Sequence, residues 1–253
     1  MTKTLGLIGA GNIGSALARL AVAAGLDVVL SNSRGPETLA DLVAELGPRA
    51  RAATPVEAAE AGDLVVATIL LGAHEQLPAA ASAGKTVIDT MNYYPDRFGP
   101  IAALDEGAPA GLTSSALVQR HLAESKVVKA FNNIDFVRLF TLARPAGATD
   151  RSALPIAGDD AVAKAEATAL LDLLGYDAVD IGTLADSWRS QPGTPVYVDP
   201  YFTAKPEQEL SQEEMYGWYV RTPGTPVAAD RVAALARSAV RPTTSANATT
   251  DQA

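Results

Sequence analysis

The chain has 253 residues, 48% of them apolar, and a mean hydropathy of +0.10. This composition is typical of a globular protein with a sizeable core, in one large domain or one domain with an extension. The net charge of −9 argues against general nucleic-acid binding, and the lack of cysteine excludes disulfides, thiolate metal sites and cysteine nucleophiles.

Location and metal content are also limited by the sequence. No run of about 18 apolar residues is present, so no membrane span is expected. Met1 to Lys3 lead directly into the first apolar run, which leaves no room for a signal peptide. We therefore expect a cytoplasmic protein. With two histidines, His74 and His121, a histidine-based metal site is not expected.

The chain opens with a strand, a glycine turn, a helix and a second strand between Thr4 and Arg34. The turn has the pattern G-x-G-x-x-G and lies where the strand ends and the helix must begin. This context favours a dinucleotide site, with the pyrophosphate at the helix N-terminus. The cofactor-binding residues predicted here are Gly9, Ala10, Gly11, Asn12, Ile13 and Gly14. A glycine turn without a ligand is the alternative interpretation.

The residues after the second strand predict which dinucleotide binds. An Asp or Glu at this position would bind the ribose 2′-OH of NAD and repel a 2′-phosphate. The chain instead has Ser31, Asn32, Ser33 and Arg34, with no carboxylate before Glu37. Hydroxyl, amide and guanidinium groups suit a phosphate dianion. We therefore predict NADP(H), the alternative being that these residues form the turn and Arg34 is solvated.

Further strands and helices then alternate as far as Gly182. Strands are predicted at 51–53, 63–69, 85–90, 127–131, 154–157 and 177–181. Helices are predicted at 36–46, at 72–83 in part, at 114–122, 136–142 and 160–174, and from Thr54, whose capping box includes Glu57, to Gly62. Asp159 is expected to be the N-cap of the 160–174 helix. Residues 96–111 are expected to be a loop.

This alternation predicts an α/β fold, a Rossmann-type doubly wound parallel sheet with an irregular, aromatic-rich C-terminal extension. The predicted divisions are an NADP-binding domain at 1–182, an extension packed on it at 183–240, and a disordered tail at 241–253. Two short helices, at 206–216 and 227–239, are expected in the extension.

Aromatic residues concentrate in the predicted extension. They could cover a planar substrate or form the contact of a homodimer, since aromatic side chains are enriched in interfaces. Alternatively they form a small core that ties the extension to the sheet, which we favour slightly. The residues are Trp188, Tyr197, Tyr201, Phe202, Tyr216, Trp218 and Tyr219.

Five stretches together resemble one protein family. They are GLIGAGNIGSALA, VVLSNSRGPETL, DLVVATI, KVVKAFNNI and PIAGDD, within roughly residues 4 to 186. They resemble the NADPH-dependent coenzyme F420 reductase family, also called F420-dependent NADP oxidoreductases. The resemblance implies a Rossmann domain with a small C-terminal elaboration. It also implies hydride transfer between NADP(H) and the deazaflavin F420, whose ring stacks on the nicotinamide.

The resemblance implies roles for individual residues as well. Residues 10–13 match the pyrophosphate turn, and Ser33 and Arg34 match the 2′-phosphate contacts. After the fourth strand the family has Thr-Ile-Pro-aromatic beside the cofactor, and this chain has Thr68, Ile69, Leu70 and Leu71. Cofactor contacts are therefore implied for Thr68, Ile69 and Leu71. Leu70 thus replaces the proline and Leu71 the aromatic residue.

Further site residues are expected where later strands end, because ligands of such sheets bind at the carboxyl edge. Asn92 and Ala130 are predicted to contact the cofactor. The predicted substrate-binding residues are His74, Tyr94, Asn132 and Asn133. For the asparagine pair, a turn is an equally good interpretation.

Hydride transfer between two cofactors requires little of side chains, so no acid/base dyad is predicted and the catalytic residues stay unassigned. A carbonyl or imine acceptor would need a proton donor, for which Tyr93, Tyr94, Asp89 and Lys129 are the nearest candidates. Structural roles are the preferred interpretation for each of the four.

The leading hypothesis is therefore an NADP(H)-dependent oxidoreductase with F420 or a similar deazaflavin or flavin as co-substrate. The alternatives are an NADPH-dependent reductase of a small imine or carbonyl, and a non-catalytic NADP(H)-binding regulator. F420 has an anionic tail, for which Arg97, Arg120, Lys126, Arg138 and Arg144 could form a basic surface.

Overall fold

The structure is a computed structural model and describes residues 3–104, 112–203 and 210–241. Within these ranges the strands are β1 (Thr4–Ile8), β2 (Asp27–Ser31), β3 (Ala50–Ala52), β4 (Leu64–Ala67), β5 (Thr86–Asp89), β6 (Lys126–Lys129), β7 (Ala153–Gly158) and β8 (Asp177–Asp180). The α-helices are α1 (Asn12–Ala23), α2 (Ala40–Leu46), α3 (Pro55–Ala61), α4 (Ala79–Ser82), α5 (Pro95–Phe98), α6 (Ser114–His121), α7 (Phe136–Thr141), α8 (Ala161–Leu173), α9 (Gln212–Arg221) and α10 (Ala229–Ser238). Short 3₁₀ helices lie at Pro36–Leu39, Leu71–Gln76, Leu184–Ser190 and Asp199–Tyr201.

The eight strands form one sheet in the order β3-β2-β1-β4-β5-β6-β7-β8. The six strands from β1 to β6 are parallel, which confirms the Rossmann-type prediction. The order reverses between β1 and β4, and ligands of such sheets bind at this crevice.

The seventh strand departs from the predicted all-parallel sheet. β7 pairs antiparallel with β6, with Val128 opposite Gly158, and β8 then runs parallel to β7. A parallel strand would need a crossover that returns the chain to the amino edge. Here the hydroxyl of Tyr201 joins Asn133, which follows β6, to the carbonyl of Ala153, the first residue of β7. β7 therefore starts at the carboxyl edge.

Both faces of the sheet are covered, as the continuous apolar strands predict. Alternate residues point to opposite sides. Leu64 and Val66 of β4 join the larger core with α1 and α8, and Val65 and Ala67 join the smaller core with α6. The strands are therefore fixed from both sides, which holds their carboxyl ends in place.

Several helix boundaries differ from the sequence predictions. The helix predicted at 36–46 begins as a 3₁₀ turn before α2. All of α5 except its first residue, Pro95, lies in the segment expected to be a loop, of which residues 105–111 are outside the described residues. Of the helix predicted at 206–216, residues 206–209 are outside the described residues. The remainder overlaps α9, whose start is fixed by a capping box of Ser211 and Glu214 and which continues to Arg221. None of the described helices is long and apolar enough to cross a bilayer.

The prediction for Asp159 is wrong. Asp160 is the N-cap of α8, because its carboxylate accepts a hydrogen bond of 2.9 Å from the amide of Ala163. Asp159 instead accepts from the amide of Leu184 at 2.9 Å. The first carboxylate thus joins β7 to the segment after β8, and the second starts the helix.

Residues after Thr183 share the main core with the sheet. Val196, Tyr201, Val227, Val232 and Leu235 pack in the same cluster as β7. The division of the chain at Gly182 stays a prediction. Of the predicted disordered tail, Arg241 donates to the carbonyl of Leu112 at 3.1 Å, and 242–253 are outside the described residues.

The late aromatic residues differ in their surroundings. Phe202 stacks on Trp218 at 5.5 Å between ring centroids, and the guanidinium of Arg138 lies 3.8 Å from the Phe202 ring. Trp188 instead contacts Arg189. Tyr216 is 66% exposed on α9. The interpretation as a core that ties the extension to the sheet therefore fits Phe202 and Trp218 but not Tyr216.

Candidate functional site

The glycine turn lies between β1 and α1, as predicted, and its three glycines differ in what surrounds them. Gly9 has φ of 109°, and a Cβ there would lie 2.5 Å from the carbonyl oxygen of Thr68. At Gly14 a Cβ would lie 2.0 Å from the carbonyl oxygen of Gly9. At Gly11 a Cβ would meet nothing within 4 Å. Packing therefore requires the outer glycines, and Gly11 leaves open space above the turn.

The N-terminus of α1 is open to an anion. Gly11 is its N-cap and provides no side-chain hydrogen bond, and the first turn contains no acidic residue. The first amides of a helix have no partner within the helix, and they carry partial positive charge. Asn12 is exposed and Ala10 and Ile13 are half-buried at this end. The open space at Gly11 and these amides fit the pyrophosphate of a dinucleotide.

At the end of β2 the four predicted residues separate into two pairs. The buried Ser31 hydroxyl donates to the carbonyl of Leu7 at 3.0 Å. Asn32 shapes the turn, since its Oδ1 accepts from the amides of Arg34 and Gly35 at 2.9 and 3.0 Å. Ser33 and Arg34 are exposed. The side chains that face solvent here therefore suit a 2′-phosphate.

The end of β4 is tied to the glycine turn by Thr68. Its hydroxyl donates to the carbonyl of Gly9, and its backbone amide donates to the carbonyl of Ile8 at 2.8 Å. Ile69 is half-buried, Leu70 is 55% exposed, and Leu71 is 3% exposed. Leu70 is thus the exposed side chain here, whereas the predicted contact residue Leu71 belongs to the smaller core.

His74, which follows β4, is almost completely buried. It is 8% exposed, its Nδ1 lies 3.0 Å from the carbonyl oxygen of Leu71, and its ring meets that of His121 edge to face. The Nε2 atom of His121 lies 2.8 Å from the carbonyl oxygen of Leu77. This arrangement favours a structural role for both histidines.

Asn92 and Asn132 join the ends of β5 and β6. Asn92 Nδ2 donates to the carbonyl of Asn132 at 2.8 Å, and Asn132 Nδ2 donates to Asn92 Oδ1 at 3.0 Å. Asn132 also donates to the carbonyl of Ser190 at 2.7 Å. Asn133 is buried and donates to the carbonyl of Val196 at 3.1 Å. The two asparagines after β6 therefore bind the extension.

Asp89 and Lys129, also at these strand ends, form a buried ion pair of 3.2 Å. Asp89 further accepts from the amide of Met91 at 2.8 Å and from the hydroxyl of Ser115 at 2.7 Å. Lys129 donates to the carbonyl of Met91. Burial lowers the pKa of Lys129, and the charge of Asp89 acts in the opposite direction. Both have the structural role that the sequence favoured.

Two tyrosines meet at the same edge. The hydroxyls of Tyr94, after β5, and Tyr197, in the extension, are hydrogen-bonded to each other. Asn92 Nδ2 lies 3.4 Å from the Tyr94 hydroxyl. Tyr93 is directed elsewhere and accepts from the amide of Ile101 at 3.0 Å. Sequence reasoning placed Tyr197 in the aromatic cluster and gave no signal that it would meet Tyr94.

The described site contains no group of three or more side chains suited to a metal ion. Its predicted members gather at one edge of the sheet: the turn at 9–14, Ser33 and Arg34, Thr68 and Ile69, Asn92, and the buried Ala130. This edge contains the crevice where the strand order reverses.

A family model described as NADP oxidoreductase coenzyme F420-dependent matches residues 4–93. The protein YjhV of Escherichia coli K12 is 42% identical over 53 residues, or 21% of this chain. The match spans 39% of that curated relative. The part of the chain that the family model matches, residues 4–93, contains the glycine turn and the ends of β2, β4 and β5.

The hypothetical protein SMa0349 of Sinorhizobium meliloti is 32% identical in a structural match that covers 78% of this chain and 93% of that one, with a TM-score of 0.66. A protein from Arthrobacter sp. FB24 that has been proposed to be an F420-dependent NADP-reductase is 24% identical, with coverages of 74% and 87% and a TM-score of 0.61. A reductive aminase from Aspergillus terreus, solved with NADPH and ethyl levulinate, is 21% identical over 73% of this chain and 56% of its own, with a TM-score of 0.51. The last two share the fold. Residues 4–93 thus match the family of coenzyme F420-dependent NADP oxidoreductases, and the Sinorhizobium relative is similar over most of both chains.

Proposed function

We propose that the protein is an NADP(H)-dependent oxidoreductase that transfers a hydride between NADP(H) and coenzyme F420 or a similar deazaflavin or flavin. The main support is the cofactor crevice. Gly11 leaves open space at the uncapped start of α1, and Ser33 and Arg34 are exposed at the end of β2. The family match over residues 4–93 supports the same cofactor and acceptor.

The chain would contribute mainly by holding two rings face to face. Hydride transfer requires correct orientation and exclusion of water more than charged side chains. Ala67 and Ala130 are fully buried at the ends of β4 and β6. Thr68 and Asn92 fix the loops above them through hydrogen bonds to Gly9 and Asn132. The strand ends beneath the crevice are therefore apolar and held in place.

One observation favours the second candidate, an NADPH-dependent reductase of a small imine or carbonyl. The cations proposed for the anionic tail of F420 do not form one surface. Arg138 is buried beside Phe202, Arg144 pairs with Asp150 at 2.8 Å, and Lys126 begins β6 at the opposite edge. Arg97 is exposed beside Tyr94. A neutral acceptor would need no such surface.

Oxidation of NADPH, followed by loss of its absorbance near about 340 nm, separates these candidates. F420, FMN and FAD are offered in turn, followed by a cyclic imine and a ketone. Turnover with F420 or a flavin supports the first candidate, and turnover restricted to imine or carbonyl supports the second. Tight NADPH binding without turnover of any acceptor would contradict both and leave a regulatory role.

A further inference from the structure

One wall of the crevice comes from the extension. The segment 188–201 crosses the ends of β5 and β6. The carbonyl of Ser190 accepts from Asn132 at 2.7 Å, and the amide of Val198 donates to the carbonyl of Asn133 at 2.9 Å. Tyr197 is therefore held beside Tyr94 by backbone contacts on either side of it. Both tyrosines are half-buried, and their hydroxyls meet at the edge of the sheet where β5 and β6 end.

The backbone at this contact is strained. Val198 has φ of 53° and ψ of −59°, and the amide of Asp199 donates to the carbonyl of Tyr197 at 2.6 Å. This is the rare form of a three-residue turn, and a β-branched residue with positive φ is unfavourable. Phe131, just before the two asparagines, also has a positive φ, of 59°. Both non-glycine residues with positive φ in the described chain thus flank this junction. Such strain is concentrated at functional sites.

The other titratable groups described at these strand ends are poorly placed to give a proton to a bound acceptor. Asp89 and Lys129 are at most 1% exposed and are paired with each other. His74 is buried against the carbonyl of Leu71. The side-chain amides of Asn92 and Asn132 do not act as acids. Tyr94 and Tyr197 are half-buried and bear hydroxyl protons.

We propose that the Tyr94–Tyr197 hydroxyl pair supplies the proton that the acceptor needs when it receives the hydride. This inference rests on the proposed function. With an imine or carbonyl, a hydride from NADPH forms a C–H bond at the acceptor carbon, and the π pair of the C=N or C=O bond moves to the heteroatom. With a deazaflavin or flavin, the hydride adds at ring position 5, and the electron pair moves through the conjugated ring to the heteroatom N1. One tyrosine hydroxyl gives its proton to that heteroatom, the second hydroxyl replaces it, and water replaces the second. The net reaction converts NADPH, a proton and the acceptor into NADP⁺ and the reduced acceptor.

The neighbouring groups suit this role. Asn92 Nδ2 lies 3.4 Å from the Tyr94 hydroxyl and is itself fixed by Asn132, which orients the pair. The guanidinium of Arg97 lies 5.8 Å from the centre of the Tyr94 ring. A nearby cation stabilises the transient phenolate that remains after proton transfer.

The test uses the full chain with Tyr94→Phe, Tyr197→Phe and the control Tyr216→Phe, whose ring is 66% exposed on α9. With the acceptor that wild-type protein turns over, each of the first two substitutions should lower kcat by about 100-fold or more, the usual range for loss of a general acid. NADPH affinity and the melting temperature should change little. Tyr216→Phe should behave as wild type.

A second acceptor separates proton supply from hydride transfer. The 10-methylacridinium cation becomes neutral on accepting a hydride and needs no proton, so its reduction by NADPH should be unaffected in both variants. Equal losses with both acceptors, or raised KM at unchanged kcat, would show that the pair only shapes the site and would overturn the inference. Wild-type turnover of acridinium but of no proton-requiring acceptor would also overturn it. Failure of wild-type protein with every acceptor would instead refute the proposed function, and the inference with it.

Discussion

Arg34 and Ser33 extend into solvent at the end of β2, while Asn32 folds the turn beneath them. We predict that Arg34→Ala weakens NADPH binding roughly 10- to 150-fold, because a charge-assisted hydrogen bond contributes about 1.5–3 kcal/mol. NADH has no 2′-phosphate, so its affinity should be unchanged. Arg49→Ala is the matched control, since Arg49 pairs with Asp27 at the other end of β2. Equal losses for both dinucleotides in a fluorescence titration would show that Arg34 does not hold the phosphate.

Gly11 and Gly14 are required for different reasons, which two alanine variants can distinguish. A methyl group at Gly14 would lie 2.0 Å from the carbonyl oxygen of Gly9, so Gly14→Ala should lower the free energy of unfolding by about 1–3 kcal/mol. At Gly11 the methyl group meets open space, so Gly11→Ala should fold nearly as well as wild type.

The same Gly11 methyl group would occupy the space assigned to the pyrophosphate. Gly11→Ala should therefore lose at least about tenfold in NADPH affinity, or about 1.4 kcal/mol. Urea unfolding and NADPH titration of the two variants check both expectations. Unchanged NADPH affinity in Gly11→Ala would place the pyrophosphate elsewhere.

Single elements were predictable where local chemistry determines them. The capping box of Thr54 and Glu57 involves four consecutive residues, and the structure has it as predicted. The order of two adjacent aspartates was not predictable. Either Asp159 or Asp160 could have begun α8, and the choice depends on the amide of Leu184, 25 residues from Asp159. Long-range contacts therefore decide which of two equivalent local caps is used.

The separate contacts of Asp159 and Asp160 lead to two predictions, one for α8 and one for the 3₁₀ helix that follows β8. Asp160→Ala removes the N-cap of α8 and should lower the free energy of unfolding by about 0.5–2 kcal/mol. Asp159→Ala should mainly expose the amide of Leu184, at the start of the 3₁₀ helix Leu184–Ser190, to hydrogen exchange. Asp159→Asn keeps an acceptor oxygen and serves as the control. Equal protection of Leu184 in wild type and Asp159→Ala would contradict this assignment.

At the level of the whole molecule, the sequence predicted a Rossmann-type parallel sheet but not how the extension joins it. The G-x-G-x-x-G turn is local, so its position and the residues around it followed from the pattern. The direction of β7 and the contact of Tyr197 with Tyr94, 103 residues apart, depend on pairings that no local pattern encodes. The substrate side of the site was therefore the part that sequence reasoning could not complete.

Buried tyrosines hold neighbouring elements of the fold together, which makes the fold sensitive to alkaline pH. Tyr201 donates to the carbonyl of Ala153 at 2.9 Å, and Tyr176 donates to that of Leu139 at 2.6 Å. Burial raises the pKa of both, and of Tyr219, above the ordinary value. An acid whose pKa is raised on folding stabilises the native state fully below its unfolded pKa, about 10, and this contribution is lost as pH rises further.

We therefore predict that resistance to urea falls steeply above about pH 10, and that Tyr176 and Tyr201 ionise only as the protein unfolds. The lowered pKa of Lys129 acts in the opposite sense, because the native state gains stability as pH rises towards the unfolded lysine pKa of about 10.4. Above that pH its contribution is constant, so it does not offset the loss from the tyrosines. Tyrosinate absorbance and circular dichroism, followed together, check this. Tyr201→Phe should reduce the number of late-ionising tyrosines by one. Ionisation of all seven tyrosines before any loss of helical signal would contradict the prediction, because it would require these buried hydroxyls to lose their protons inside the folded core.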